Sequence, residues 1–224
     1  MGPSRFHLCS MEDLKEYYGI QDIARSGQAE LRDKWNEWNG TVDGYYRDAI
    51  GDSYLFDLAA WHSSGDADGW GNVIELGILG PEIFDFGGGI GTYSLIAASN
   101  PDVRTVWFYD INDSNVRFSM SRFEKYGLAD KILLGIPSHA VNSVMAIDVL
   151  EHMEDRMGAI QSWLDLLVEG GRLFLTYTAN TSNGQHPMHL MVEQECKAVI
   201  EYLSDRCERI GTSYPQIWQK RPAV

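Results

Sequence analysis

From Met11 to about Ala60 apolar and aromatic residues recur at helical intervals, and Gly19, Gly40 and Gly51 interrupt the run. This predicts a cap of short helices with no strand. His62 to Gly71 is polar and rich in turn formers, with Ser63, Ser64, Gly65, Asp66, Asp68 and Gly69, and reads as a loop. After it, short apolar runs alternate with amphipathic segments, the pattern of βαβ units on a mostly parallel sheet. Strands are expected at Ile83–Phe86, Thr105–Tyr109, Lys131–Leu134, Ser143–Ile147 and Arg172–Thr178. Helices are expected at Thr92–Ser99, at Ser114–Tyr126 ending on Gly127, at Asp155–Val168 stopped by Gly170 and Gly171, and at Leu190–Leu203. Cys207–Ile210 and Gln216–Gln219 read as a closing antiparallel hairpin. The organisation expected is a helical cap and linker over 1–70 and an α/β domain over 71–224.

A chain of 224 residues accommodates one such domain with a modest extension and no second catalytic domain. With 44% hydrophobic and 22% charged residues it has the composition of a folded globular protein. No run approaches the roughly 18 apolar residues of a membrane span, and Met1–Ser10 lacks the pattern of a signal peptide, so a cytoplasmic protein without membrane contact is expected. Cys9, Cys196 and Cys207 have neither disulfide nor zinc spacing. The net charge of -14 opposes binding to phosphate backbones and argues against a nucleic-acid partner.

Chemistry concentrates in Ile83-Phe84-Asp85-Phe86-Gly87-Gly88-Gly89-Ile90-Gly91, a strand running through glycines into a helix. Glycines there permit a tight turn and close backbone approach to a ligand. Asp85, two residues before Gly87, would repel a pyrophosphate but suits an ammonium group, which disfavours a nicotinamide dinucleotide. Asp110, at the end of the second strand and about twenty positions past the last glycine, can accept from ribose hydroxyls or cap the next helix.

The arrangement Asp85-x-Gly87-x-Gly89-x-Gly91 resembles the first motif of the class I S-adenosylmethionine-dependent methyltransferases. Ala146-Ile147-Asp148-Val149-Leu150-Glu151-His152-Met153 resembles the fourth-strand motif of the branch that methylates small molecules. The resemblance covers about Ile83 to Tyr177 and implies a Rossmann-like, mostly parallel seven-stranded sheet flanked by helices. It implies S-adenosylmethionine as cofactor, with Asp85, Gly87, Gly88 and Gly89 around its methionine portion. It further implies Asp110 on the ribose, Ile111 on the adenine, and Asp148 and Val149 beside the reacting methyl. Related enzymes often cover the cofactor with an N-terminal tyrosine, for which Tyr18 of the Tyr17–Tyr18 pair is the candidate. One departure stands out: where the family commonly has Gly-Asp after the third strand, this chain reads Leu134-Gly135-Ile136-Pro137-Ser138-His139, which leaves that side of the adenine pocket open or leaves Ser138 to supply the contact through its hydroxyl.

On the acceptor side, His152 can serve as a general base, since imidazole titrates near about pH 6.5, or as a structural tie. Tyr177, His186 and His189 belong to a polar lid after the fifth strand and are further candidates. His186 and His189 are spaced within reach of a metal, but no acidic third ligand lies near them in sequence, so no metal is expected. The expected function is methyl transfer to a small-molecule acceptor. The alternative is a cyclase or lyase on the same fold that consumes S-adenosylmethionine and releases methylthioadenosine. A homodimer through the cap is compatible with the sequence, which carries no self-complementary signal for it.

Overall fold

The computed structural model describes residues 9–22, 28–64, 68–78, 80–180, 188–211 and 214–222. The cap comprises α1 (Ser10–Tyr18), α2 (Gln28–Glu37), α3 (Val42–Gly44, continuing as a π-helical turn over Tyr45–Ala49) and α4 (Ser53–Ser63). The remainder runs α5 (Asp68–Gly77), β1 (Glu82–Phe86), α6 (Thr92–Ser99), β2 (Thr105–Tyr109), α7 (Asp113–Lys125), β3 (Ile132–Leu134) and β4 (Val141–Ala146). It ends with α8 (Arg156–Leu166), β5 (Leu167–Leu175), α9 (Glu193–Arg206), β6 (Cys207–Arg209) and β7 (Gln216–Lys220). The seven strands form one sheet in the order β3-β2-β1-β4-β5-β7-β6. β1 to β5 are parallel, while β7 lies antiparallel to both β5 and β6.

This is the expected α/β, Rossmann-like architecture. Helices cover both faces because parallel strands bury both of theirs. One face packs Ile83, Val106 and Phe108 against Leu95, Ile96 and Phe123; the other packs Phe84, Val144 and Leu173 against Ile160, Trp163 and Val199. Chain order reverses between β1 and β4, which makes the carboxyl ends of those strands the crevice where such sheets bind ligands.

Two local expectations are corrected. The polar run at His62–Gly71 is not one loop: α4 continues through Ser63 and α5 starts at Asp68. Its apolar residues decide this, since Ile74 is fully buried in the sheet's core and Trp70 packs edge-on against Trp61 at 5.0 Å. Likewise Gly170 and Gly171 do not stop α8, which ends at Leu166, and both lie inside β5. The β4–β5 register shifts between Val141 and Ser143, and a Cβ on Gly171 would stand 3.0 Å from the Asn142 carbonyl oxygen, so the pair forms a bulge where backbones crowd.

The cap is tied to the body by a buried ion pair. Arg122 on α7 donates from Nε to Asp13 Oδ2 on α1 at 2.8 Å, with both side chains 1% exposed. It also donates to the Ile90 carbonyl at 2.7 Å and to Thr92 Oγ1 at 2.8 Å. Lys125 and the Tyr126 hydroxyl donate to the same carboxylate. Among the described residues no helix is long and apolar enough to cross a membrane, and Cys9, Cys196 and Cys207 are unbonded thiols.

Candidate active site

The glycine turn leaves β1 with left-handed backbone at Gly87 (φ 67°), Gly89 (φ 55°) and Gly91 (φ 72°). The Gly87 and Gly88 amides donate to the Tyr109 carbonyl at the end of β2, at 2.7 and 3.1 Å, which draws the turn against the neighbouring strand. There is no room behind it: a Cβ on Gly87 would come 2.5 Å from Val149 Cγ2, and one on Gly88 2.4 Å from Phe108 Cε2. The outward side of Gly87, Gly88 and Gly89 remains part-exposed, so a ligand meets bare backbone there.

Four acids surround this turn. Asp85 is 1% exposed, lies beneath Gly88 and accepts from Ser94 Oγ at 2.6 Å near the start of α6. Burial, reinforced by the nearby charge of Asp110, pushes its carboxyl up to about 7. Asp110 accepts from the Gly89 amide at 2.8 Å, the Asn112 amide at 2.8 Å and Asn115 Nδ2 at 3.1 Å, yet burial still raises it to about 6. Asp148 is raised to about 6 for the same reason. Glu151, buried beside Asp148, is pushed well above the ordinary range by burial and by that neighbour's charge. Among the described residues, the hydrogen-bond partners of Asp85, Asp110 and Asp148 are hydroxyls and amides, with no basic side chain. Desolvated anions without a counter-cation favour a ligand that brings positive charge.

Asp148 is a non-glycine residue in the left-handed region (φ 53°). Its amide donates to Thr176 Oγ1 at 2.7 Å, and that hydroxyl donates back to Asp148 Oδ1 at 2.9 Å. Such a conformation costs of order 1–3 kcal/mol and persists when neighbours hold it. Thr176→Val keeps the shape but leaves the Asp148 amide without its acceptor. It is expected to destabilise the protein by roughly 1–3 kcal/mol in urea unfolding; an unchanged midpoint would show that the hydroxyl does not hold this turn.

Beyond Asp148 the chain forms a 3-10 turn, Leu150–His152. His152 Nδ1 lies 2.7 Å from the Tyr46 hydroxyl and 3.2 Å from the Met188 carbonyl. The His189 ring packs edge-on against His152 at 4.8 Å, and the Leu190 amide donates to the Glu151 carbonyl at 2.7 Å. Tyr54 packs at a tilt beside Tyr46, ring centroids 5.7 Å apart, within the fields of Asp110, Asp148 and Glu151.

The structure therefore brings together Asp85, Gly87, Gly88, Gly89, Asp110, Asp148, Val149, His152 and His189. Ile111, next to Asp110, packs part-buried against the cap cluster of Tyr46, Ile50 and Met188. Tyr18 stacks on Phe56, its hydroxyl bonds to Asp52, and it packs against the cluster that includes Ile90 of the glycine turn. Tyr177 is buried on the β5 side, its hydroxyl accepting from Gln216 Nε2 at 3.4 Å. His186 lies outside the described residues. Ser138 does not reach the crevice: it precedes β4 beside His139, which pairs at 2.5 Å with Glu82 at the opposite strand ends. The cap tyrosines that do reach the acids, Tyr46 and Tyr54, are ones the sequence marked only as aromatics.

A model of the methyltransferase domain matches residues 58–215. No curated protein matches the chain by sequence. Among solved structures, an O-methyltransferase family protein from Burkholderia thailandensis is 15% identical with a TM-score of 0.57, covering 93% of this chain and 76% of its own. The N-methyltransferase NodS from Bradyrhizobium japonicum, in complex with S-adenosylhomocysteine, is 13% identical with a TM-score of 0.55, covering 88% of this chain and 99% of its own. The cyclase SpnF is 15% identical with a TM-score of 0.52, covering 92% and 72%. The chain belongs to the methyltransferase-domain family and is an S-adenosylmethionine-dependent enzyme of class I. The residues of the crevice fit that cofactor, whose ammonium and sulfonium groups supply the positive charge that the uncompensated acids call for, while the glycine turn admits close approach.

Proposed function

We propose that the enzyme transfers the methyl group of S-adenosylmethionine to a small-molecule acceptor held beneath the cap. The observation that carries this reading is the set of buried acids around the glycine turn, where Asp85, Asp110 and Asp148 have no basic partner among the described residues. Bound there, the cofactor supplies an electrophilic methyl on a cationic sulfur. Asp110, at the end of β2, is positioned to accept from the ribose hydroxyls, with Ile111 beside the adenine. Asp85 acts from beneath Gly88, holding negative charge under the turn that receives the methionine portion. Asp148 and Val149 line the crevice where β4 ends, and Tyr54 closes it from above by contributing an aromatic face that attracts a cation.

The acceptor end is formed by Tyr46, Glu151, His152 and His189, and proton handling falls to this group. The protein's contribution is mainly proximity and orientation, which alone can supply several kcal/mol of barrier lowering. A small acceptor suits a crevice roofed by Tyr46 and Tyr54, and the acidic surface supports the absence of a nucleic-acid substrate.

Incubation with S-adenosylmethionine, with and without candidate hydroxyl- and amine-bearing acceptors, followed by mass spectrometry, tests the reading. S-adenosylhomocysteine formed only with an acceptor is the expected product. Methylthioadenosine formed from the cofactor alone would overturn methyl transfer in favour of cyclisation or cleavage.

A further inference from the structure

Glu151, His152 and His189 meet at the acceptor end although 37 positions separate the two histidines along the chain. One ligand-type atom from each lies within 4.8 Å of the others. Glu151 is 1% exposed and commits one oxygen, Oε1, to the Thr178 amide at 3.1 Å. Its other oxygen, Oε2, is buried with no hydrogen-bond partner among the described residues. An unsatisfied buried carboxylate oxygen costs about 1–3 kcal/mol or more, and its presence calls for an explanation. The His152 ring is oriented through Nδ1 by the Met188 carbonyl and the Tyr46 hydroxyl, the kind of support that fixes ring orientation in metal-bound imidazoles. The acidic third ligand that neither His186 nor His189 has nearby in sequence is thus delivered by the turn after β4.

We propose that Glu151, His152 and His189 bind a divalent first-row transition metal ion, of which zinc is the type case for a two-histidine, one-glutamate set with an open coordination position. Bonds of about 2.0–2.2 Å require ligand atoms about 3.3 Å apart in a tetrahedral site. The observed spacing must tighten, and part-exposed His189, on the segment following β5, is the member with room to move. With three protein ligands, such an ion keeps a coordination position that would take an oxygen of the acceptor. The acceptor class implied is therefore a hydroxyl compound able to coordinate a metal. This rests on the methyl-transfer reading only for the acceptor; metal binding itself is measured without cofactor, so the two fail separately.

The test uses tag-free full chain, stripped with a chelator and dialysed, titrated with zinc by calorimetry and with cobalt by visible absorption. One equivalent of metal at micromolar concentration, with the cobalt spectrum of a nitrogen- and oxygen-ligated low-coordination site, is expected. His189→Ala should weaken binding at least tenfold and change that spectrum. His139→Ala, altering a surface histidine paired with Glu82, should leave both unchanged. Glu151→Gln provides a second ligand variant, with circular dichroism to confirm folding. Absence of stoichiometric binding to the wild type, or equal affinity in the His189→Ala protein, overturns the site. Loss of affinity equally in His139→Ala would assign the binding to the surface and overturn it too.

Discussion

Arg122→Ala is expected to lower the unfolding free energy by about 3–5 kcal/mol, the range for removing one member of a buried ion pair. The guanidinium has no solvent to replace its contacts: Arg122 and Asp13 are each 1% exposed. Its loss leaves Asp13 with Lys125 and Tyr126 alone and strips the Ile90 carbonyl of its donor. Because Ile90 sits inside the glycine turn, weaker cofactor binding should accompany the lost stability. Urea denaturation with and without S-adenosylmethionine measures both. A loss below about 1 kcal/mol would place the pair in the class of surface bridges and refute its role as anchor of α1.

Asp85→Asn should have opposite effects on the free and ligand-bound protein. Its folded carboxyl, at about 7, lies far above its ordinary value of 3.8, so between those values the native state binds more protons than the unfolded chain. Stability from this group is complete below pH of about 4 and is lost as pH rises through about 7, a cost on the order of 4 kcal/mol at full ionisation. Asparagine removes that cost while retaining an acceptor for Ser94. The free variant should therefore melt above the wild type at pH 8, with the difference shrinking as pH falls and vanishing near about pH 4. Cofactor affinity should move the other way, falling about 10- to 100-fold at pH 8, the worth of a charged contact. In the wild type, affinity should climb as pH passes through the range about 6 to 7 in which Asp110 and then Asp85 ionise. Calorimetric titrations and melts across this range decide it. A variant that melts lower at pH 8 would show Asp85 to be a helix cap and nothing more.

Much of the sheet was legible because strands and helices are written locally. Thr105–Tyr109 and Thr92–Ser99 appear in the structure with the bounds their patterns predict, and Asn112 caps α7 through its side chain just after Asp110. The misread segments are those where packing overrode a local signal. In α5, buried Ile74 and the Trp61 contact outweigh the turn formers, and at Gly170–Gly171 a bulged strand takes residues that ordinarily end helices.

The site divides the same way. The glycine turn and the acids that flank it, Asp85 and Asp110, are close in sequence to the strand ends that carry them, so the sequence marks them as candidates and the family resemblance supplies their expected roles. Periodicity holds no information about which distant segments meet. That Tyr46 meets His152, while Tyr18 joins the cluster around Ile90, follows from how α1, α3 and α4 pack on α7. That Glu151 and His189 share one cluster follows from the chain returning across the ends of β4 and β5. By itself, then, the sequence determined the sheet and the turn, since each depends on contacts within a few residues or between neighbouring strands, and its motifs pointed to the cofactor class through their family resemblance. Only the tertiary structure decided the roof and the acceptor end, because those are made by residues far apart along the chain that close packing brings together.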